Sequence, residues 1–125
     1  MDFKISALLS LAATAVLFFV ADIPWLYTVG PWANRMIQSI QKSPLEMRWS
    51  AAPVVYIALA FLLSLAKSVK EAFGIGLATY AVYDYTNLST IKNYDAKFAV
   101  ADSLWGGTLF AIVFTVRPYL LRMLP

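Results

Sequence analysis

The sequence predicts an all-α membrane protein with four antiparallel transmembrane helices and an amphipathic interfacial helix between the first and second. Three observations point there. Of 125 residues, 61% are apolar and only 14% charged, about half the charged share of a soluble domain. The apolar residues gather into runs near the roughly 20 residues that a helix needs to cross about 30 Å of hydrocarbon. Lysine or arginine bounds most of those runs. The same composition excludes other classes. So many apolar residues with so little charge rule out intrinsic disorder. The absence of cysteine rules out a disulfide framework, and the absence of histidine as well removes zinc or haem sites built on those ligands. A net charge of +3 with no dense cationic stripe argues against nucleic acid as a partner.

The first span is expected over residues 5–29, where an uncharged run to Ala21 resumes beyond Asp22 until Gly30-Pro31 ends it. A cleaved leader is the competing reading of this run. It is disfavoured because the run leads into an aspartate, a proline and aromatic residues instead of a small-residue cleavage site. Residues 31–42 open on Pro31 and place Trp32, Met36, Ile37 and Ile40 on one helical face, with Asn34, Arg35, Gln38, Gln41 and Lys42 elsewhere. That pattern predicts a surface-lying helix stopped by Ser43-Pro44. The remaining spans are expected over 51–69, 72–91 and 98–116, bounded by Arg48, Lys67, Lys70, Lys92, Lys97 and Arg117. Connections this short allow only tight hairpins, so the helices alternate in direction and both termini share one side. Counting basic residues per side gives a tie, and the amino terminus together with Glu46 and Asp95 on the opposite side favours cytosolic termini. The expected setting is an integral, multi-pass protein in a lipid bilayer.

Three acids interrupt these apolar runs, and the alternating topology puts them in one leaflet. Asp22 lies near the far end of the first span, Asp84 near the end of the third and Asp102 near the start of the fourth. At 1.5 Å per residue all three sit roughly 6–11 Å inside the face opposite the termini. A carboxylate at the centre of a membrane helix costs about 2.5–3.5 kcal/mol on insertion scales, so three of them require partners or water. Tyr80, Asp84 and Asn87 fall on one face of the third helix, with Thr86 and Thr90 on a neighbouring one. Asp22 with Trp25, and Asp102 with Trp105, each set an acid and an indole donor three residues apart on one face. Gly106 leaves room beside Asp102 for a neighbour. Ala99, Ser103 and Gly107, Gly74 and Ala78, and Ser6, Ser10 and Thr14 recur every four residues, a spacing that permits close helix contact or homo-oligomerisation. Trp25, Trp32, Trp49, Tyr27 and Tyr94 read mainly as interfacial anchors.

Asp22-Ile23-Pro24-Trp25-Leu26, the stretch Tyr83-Asp84-Tyr85-Thr86-Asn87-Leu88, and Asp102-Ser103-Leu104-Trp105-Gly106 together resemble the signature of a family of predicted small membrane proteins, domain of unknown function 2177. The resemblance runs over nearly the whole chain. It implies four transmembrane helices and singles out Asp22, Trp25, Tyr83, Asp84, Thr86, Asn87, Asp102, Trp105 and Gly106. A short connection between the second and third helices departs from the family pattern. The family implies no activity.

Three functions compete on these residues. One is a polar intramembrane pocket, formed by Asp22, Trp25, Tyr80, Tyr83, Asp84, Thr86, Asn87, Asp102, Trp105 and Gly106, that binds or moves a small solute, cation, proton or lipid headgroup. The second is a structural or accessory subunit of a membrane assembly. The third is a lipid-modifying enzyme whose aspartates hold Mg²⁺. This last is disfavoured, because no Gly-rich phosphate loop and no Gly-x-Ser-x-Gly elbow is present and Ser103 lacks a suitable base. No catalytic residue or metal site is expected from the residues themselves, and they leave any cofactor unknown.

Overall fold

A computed structural model describes residues 3–125, and every regular element in it is helical: α1 Phe3–Gln41, α2 Ala52–Leu63, α3 Val69–Thr90 and α4 Ala96–Leu121. Two of these are long and apolar enough to cross a bilayer, over Lys4–Gln41 and Ala96–Leu121, while α2 is a shorter apolar helix. The outer surface is correspondingly aliphatic. Val54 is 69% exposed and Val82 70%, alongside Val16, Val55, Phe61, Val100 and Leu104. An apolar shell this continuous belongs in lipid.

The expected break at Gly30-Pro31 does not occur. α1 runs unbroken through Pro24 and Pro31 for 39 residues, about 58 Å at the usual rise, so the segment at 31–42 is the end of the first helix and not a separate one. Each proline removes one backbone donor, but tertiary contacts outweigh that loss. Trp32 packs edge-on against Phe98 with ring centroids 5.3 Å apart, and its indole donates to Asp95 Oδ2 at 3.2 Å. Met36 is buried and its sulfur accepts from the Asp95 amide. The helix stops where Lys42 turns to a left-handed φ of 63° ahead of Ser43-Pro44.

The second expected span, 51–69, also ends early, at Leu63. The cause is the cap of the next helix. Ser68 accepts from the Glu71 amide at 3.1 Å, and the Glu71 carboxylate accepts from the Lys67 amide at 3.0 Å, an N-terminal box that starts α3 at Val69 and commits the residues before it to the turn. α4 begins two residues earlier than expected, because Asp95 accepts from the Lys97 amide at 2.8 Å, and it continues through Pro118 to Leu121.

The most extensive helix contact joins α3 to α4, and small residues make it close. A Cβ on Gly76 would strike the Gly106 carbonyl oxygen and the Phe110 side chain. One on Gly106 would strike the Tyr80 ring. Ala99, Ser103 and Gly107 are buried, so the small-residue stripe of α4 faces inward, whereas Gly74 and Ala78 are exposed. Phe18 and Phe110 meet edge to face at 4.9 Å in the centre, surrounded by Leu63, Ala72, Leu109 and Val113.

The Gly76 contact gives a clear expectation. Gly76→Ala pushes a methyl group into backbone and lowers unfolding stability in detergent by about 1–3 kcal/mol. Gly74→Ala, which meets nothing within 4 Å, leaves thermal unfolding unchanged or slightly improved.

Candidate functional site: a crossed tryptophan–aspartate cluster

The two Asp-x-x-Trp pairs lie on α1 and α4 and exchange partners. Trp25 Nε1 donates to Asp102 Oδ1 at 3.1 Å, and Trp105 Nε1 donates to Asp22 Oδ1 at 2.7 Å. The two indoles stack with centroids 5.2 Å apart and planes 5° from parallel. Each acid is therefore held by the tryptophan of the opposite helix. Tyr56 of α2 completes Asp22 by donating to Oδ2 at 2.8 Å, which leaves both oxygens of this buried carboxyl engaged. Asp84, with no solvent exposure, accepts from the Tyr94 hydroxyl at 2.9 Å and lies 3.5 Å from the Ser103 hydroxyl. The carboxyls of Asp84 and Asp102 lie within hydrogen-bonding reach of each other. Burial, with the neighbouring Asp84, pushes the Tyr94 phenol far above its ordinary range, so it keeps its proton as a donor.

The three acids are strung along one network, Asp22 to Trp105 on one arm and Trp25 to Asp102 to Asp84 on the other. Among the described residues no three acids group as a metal centre. Two cavities border the network. One, of about 400 Å³, has Asp22, Trp25, Tyr80 and Asp102 on its wall, with Leu45, Met47 and Trp49 from the α1–α2 connection. The other, of about 420 Å³, is bordered by Tyr83, Asn87 and Tyr94 and again by Asp102. Asp102 thus stands on the wall of both.

The remaining expected residues divide. Tyr80 packs its ring over Gly106 and lines the first cavity. Asn87 is half-buried, beside Tyr94. Tyr83 is 66% exposed and meets the site only as a wall of the second cavity. Thr86 is exposed, and its carbonyl accepts from Ser89 and Thr90 instead of joining the cluster. Three contributors are not marked by the sequence pattern: Tyr56, Tyr94 as a partner of Asp84, and the pair Trp32–Asp95. A spacing signal for the last is nonetheless present. Trp25 and Trp32 are seven residues apart, and their acceptors Asp102 and Asp95 are seven apart in the opposite sense, a spacing of two helical turns. Tyr56 is the one hydroxyl-bearing side chain on an otherwise apolar helix, and a half-buried phenol in such a place requires a hydrogen-bond partner.

Residues 7–117 match the family model described as predicted membrane protein (DUF2177), and the chain belongs to that family. No curated protein and no solved structure matches it. Membership places the chain among membrane proteins and agrees with the two long apolar helices.

Removing a donor from the buried Asp22 carboxyl exposes its worth. Trp105→Phe keeps the ring but leaves Asp22 with Tyr56 alone, and is expected to cost about 1–3 kcal/mol of stability. Tyr56→Phe costs a similar amount, and the double variant costs more than the sum because the carboxyl then has no donor. Denaturation in detergent micelles measures all three.

Proposed function

We propose that this chain is a multi-pass membrane protein, its four helices alternating in direction across the bilayer, whose acidic cluster binds or moves a small cationic species or a proton. The alternation is supported by the pairing of α1 with α4: contacts pass from Thr14–Arg117 through Asp22–Trp105 and Trp25–Asp102 to Trp32–Asp95, one number rising as the other falls. At 22 residues α3 is about 33 Å long, sufficient to cross. α2 alone, at 12 residues, covers about 18 Å, and the apolar residues around it complete its depth.

One observation carries the functional reading: Asp102 borders two cavities while its carboxyl meets that of Asp84. Two carboxylates side by side in an apolar bundle cannot both hold a charge without strong mutual repulsion. A proton or a cation between them removes that repulsion, and adjacent space gives it a route. A second reading draws on a different observation. Among the described residues no buried side-chain nitrogen or oxygen lacks a partner, as suits a closed scaffold that fixes the helices of an accessory subunit.

Asp102→Asn and Asp84→Asn separate the two. Asparagine retains a carbonyl acceptor for Trp25 or Tyr94 but holds no charge. On the pocket reading, proteoliposomes carrying the wild-type chain take up protons or potassium faster than empty vesicles, and either variant reduces that uptake about tenfold while remaining folded, the loss of one charge-assisted contact. Wild-type vesicles no leakier than empty ones, or variants that conduct as well, leave only the scaffold.

Topology has its own test. The chain has no cysteine, so single cysteines at Ser43, Asn93 and Lys67 report sidedness directly. Ser43→Cys and Asn93→Cys are expected to react with an impermeant maleimide from one side of the membrane, and Lys67→Cys from the other.

A further inference from the structure

Arg117 stands far from the acids, about 22 Å along α4 from Asp102 by the helical rise. Its Nε donates to Thr14 Oγ1 at 2.9 Å. Thr14 is buried and donates its own hydroxyl proton to the Ser10 carbonyl at 2.7 Å, so its oxygen serves the guanidinium purely as an acceptor. A guanidinium carries five N–H donors and stays charged at any physiological pH. Among the described residues Thr14 is its one polar partner, and no carboxylate pairs with it. A half-buried cation with four further donors therefore borders a cavity of about 450 Å³, within the roughly 300–1,000 Å³ typical of ligand sites. Ser10, Thr14 and Ser64 supply hydroxyls to its wall, and Leu8 and Leu11 supply apolar surface. No acid lines it.

We propose that this cavity binds a phosphate-type oxyanion, held by Arg117 in a forked contact with the Ser10 hydroxyl as a second donor, and with Leu8 and Leu11 against any attached chain. A planar fork matches the two oxygens of a phosphate, which a lysine cannot do. The same chemistry is presented by an anionic lipid headgroup and by free phosphate. The site is independent of the acidic cluster, so either proposal can fail alone.

The test uses the full chain in uncharged maltoside micelles, titrated with phosphatidylglycerol, with diacylglycerol of the same acyl chains, or with inorganic phosphate. Bound mass is read by native mass spectrometry and stability by thermal unfolding. Phosphatidylglycerol is expected to bind and to raise the unfolding temperature where diacylglycerol does not. Arg117→Gln weakens this about tenfold, the loss of a charged hydrogen-bonding partner, Arg117→Lys weakens it less, and Gly74→Ala leaves it unchanged. Binding of the lipid without inorganic phosphate identifies a headgroup site, and comparable binding of both identifies a free oxyanion site. Equal binding of phosphatidylglycerol and diacylglycerol together with no binding of inorganic phosphate, or undiminished oxyanion binding by Arg117→Gln, overturns the proposal. If Arg117→Gln does not fold, Arg117→Lys and Ser10→Ala decide in its place, and wild-type affinity in both overturns it equally.

Discussion

The exchange of indole hydrogen bonds between α1 and α4 is the constraint on which the rest of the architecture depends. A carboxyl removed from water without donors is costly, and the chain carries three of them inside an otherwise apolar bundle. Trp25 and Trp105 answer two at once, because each serves the acid of the other helix while their rings stack. The arrangement works only in one register. Sliding α1 along α4 by a single turn would strand both acids, so the polar pairs specify an alignment that aliphatic packing alone would leave degenerate. Trp32 and Asp95 repeat the contact two turns further along, and Thr14 with Arg117 fixes the other end.

α3 is held by a different means. Its contact with α4 is made by removing side chains: Gly76 lies against the Gly106 carbonyl, and Tyr80 fills the space that Gly106 leaves. That closeness brings Asp84 to Ser103 and Asp102, so the glycines position the acidic pair although they bear no functional group. Tyr94 then reaches back from the turn after α3, where Asn93 adopts a left-handed φ of 70°. Asparagine tolerates that conformation better than most side chains, and the turn aims the phenol inward.

Much of this was legible in the residues. Hydropathy runs and bounding charges predicted four helices, and the spacing of Asp22 with Trp25, and of Asp102 with Trp105, marked the donors and acceptors that the structure joins. What composition could not reveal was which tryptophan serves which acid. Spacing within a helix places both on one face, yet the bonds cross to the partner helix, Trp25 to Asp102 and Trp105 to Asp22. Residues 31–41 continue α1 although Gly-Pro is a strong local stop. Trp32, Met36 and Ser39, which dock on the turn between α3 and α4, override it through contacts distant in sequence. Thr86 and Tyr83 sit within the same motif as Asp84, but a helix turns about 100° per residue, which carries such near neighbours away from the cluster.

The unbroken length of α1 has a mechanical meaning. Its last turns carry the connection to α2: Asn34 Oδ1 accepts from the Leu45 amide at 2.9 Å, and the Gln41 side chain donates to the carbonyls of Ser43 and Pro44. Leu45, Met47 and Trp49, which roof the cavity over Asp22, therefore hang from the same rigid rod that carries Asp22 itself. The pitch of that rod sets where the roof faces. Inserting one residue between positions 33 and 41 would swing the canopy by about 100° around the axis and pull Met36 and Ser39 from the turn on which they dock, so the entrance and the acidic floor are aligned by one stem.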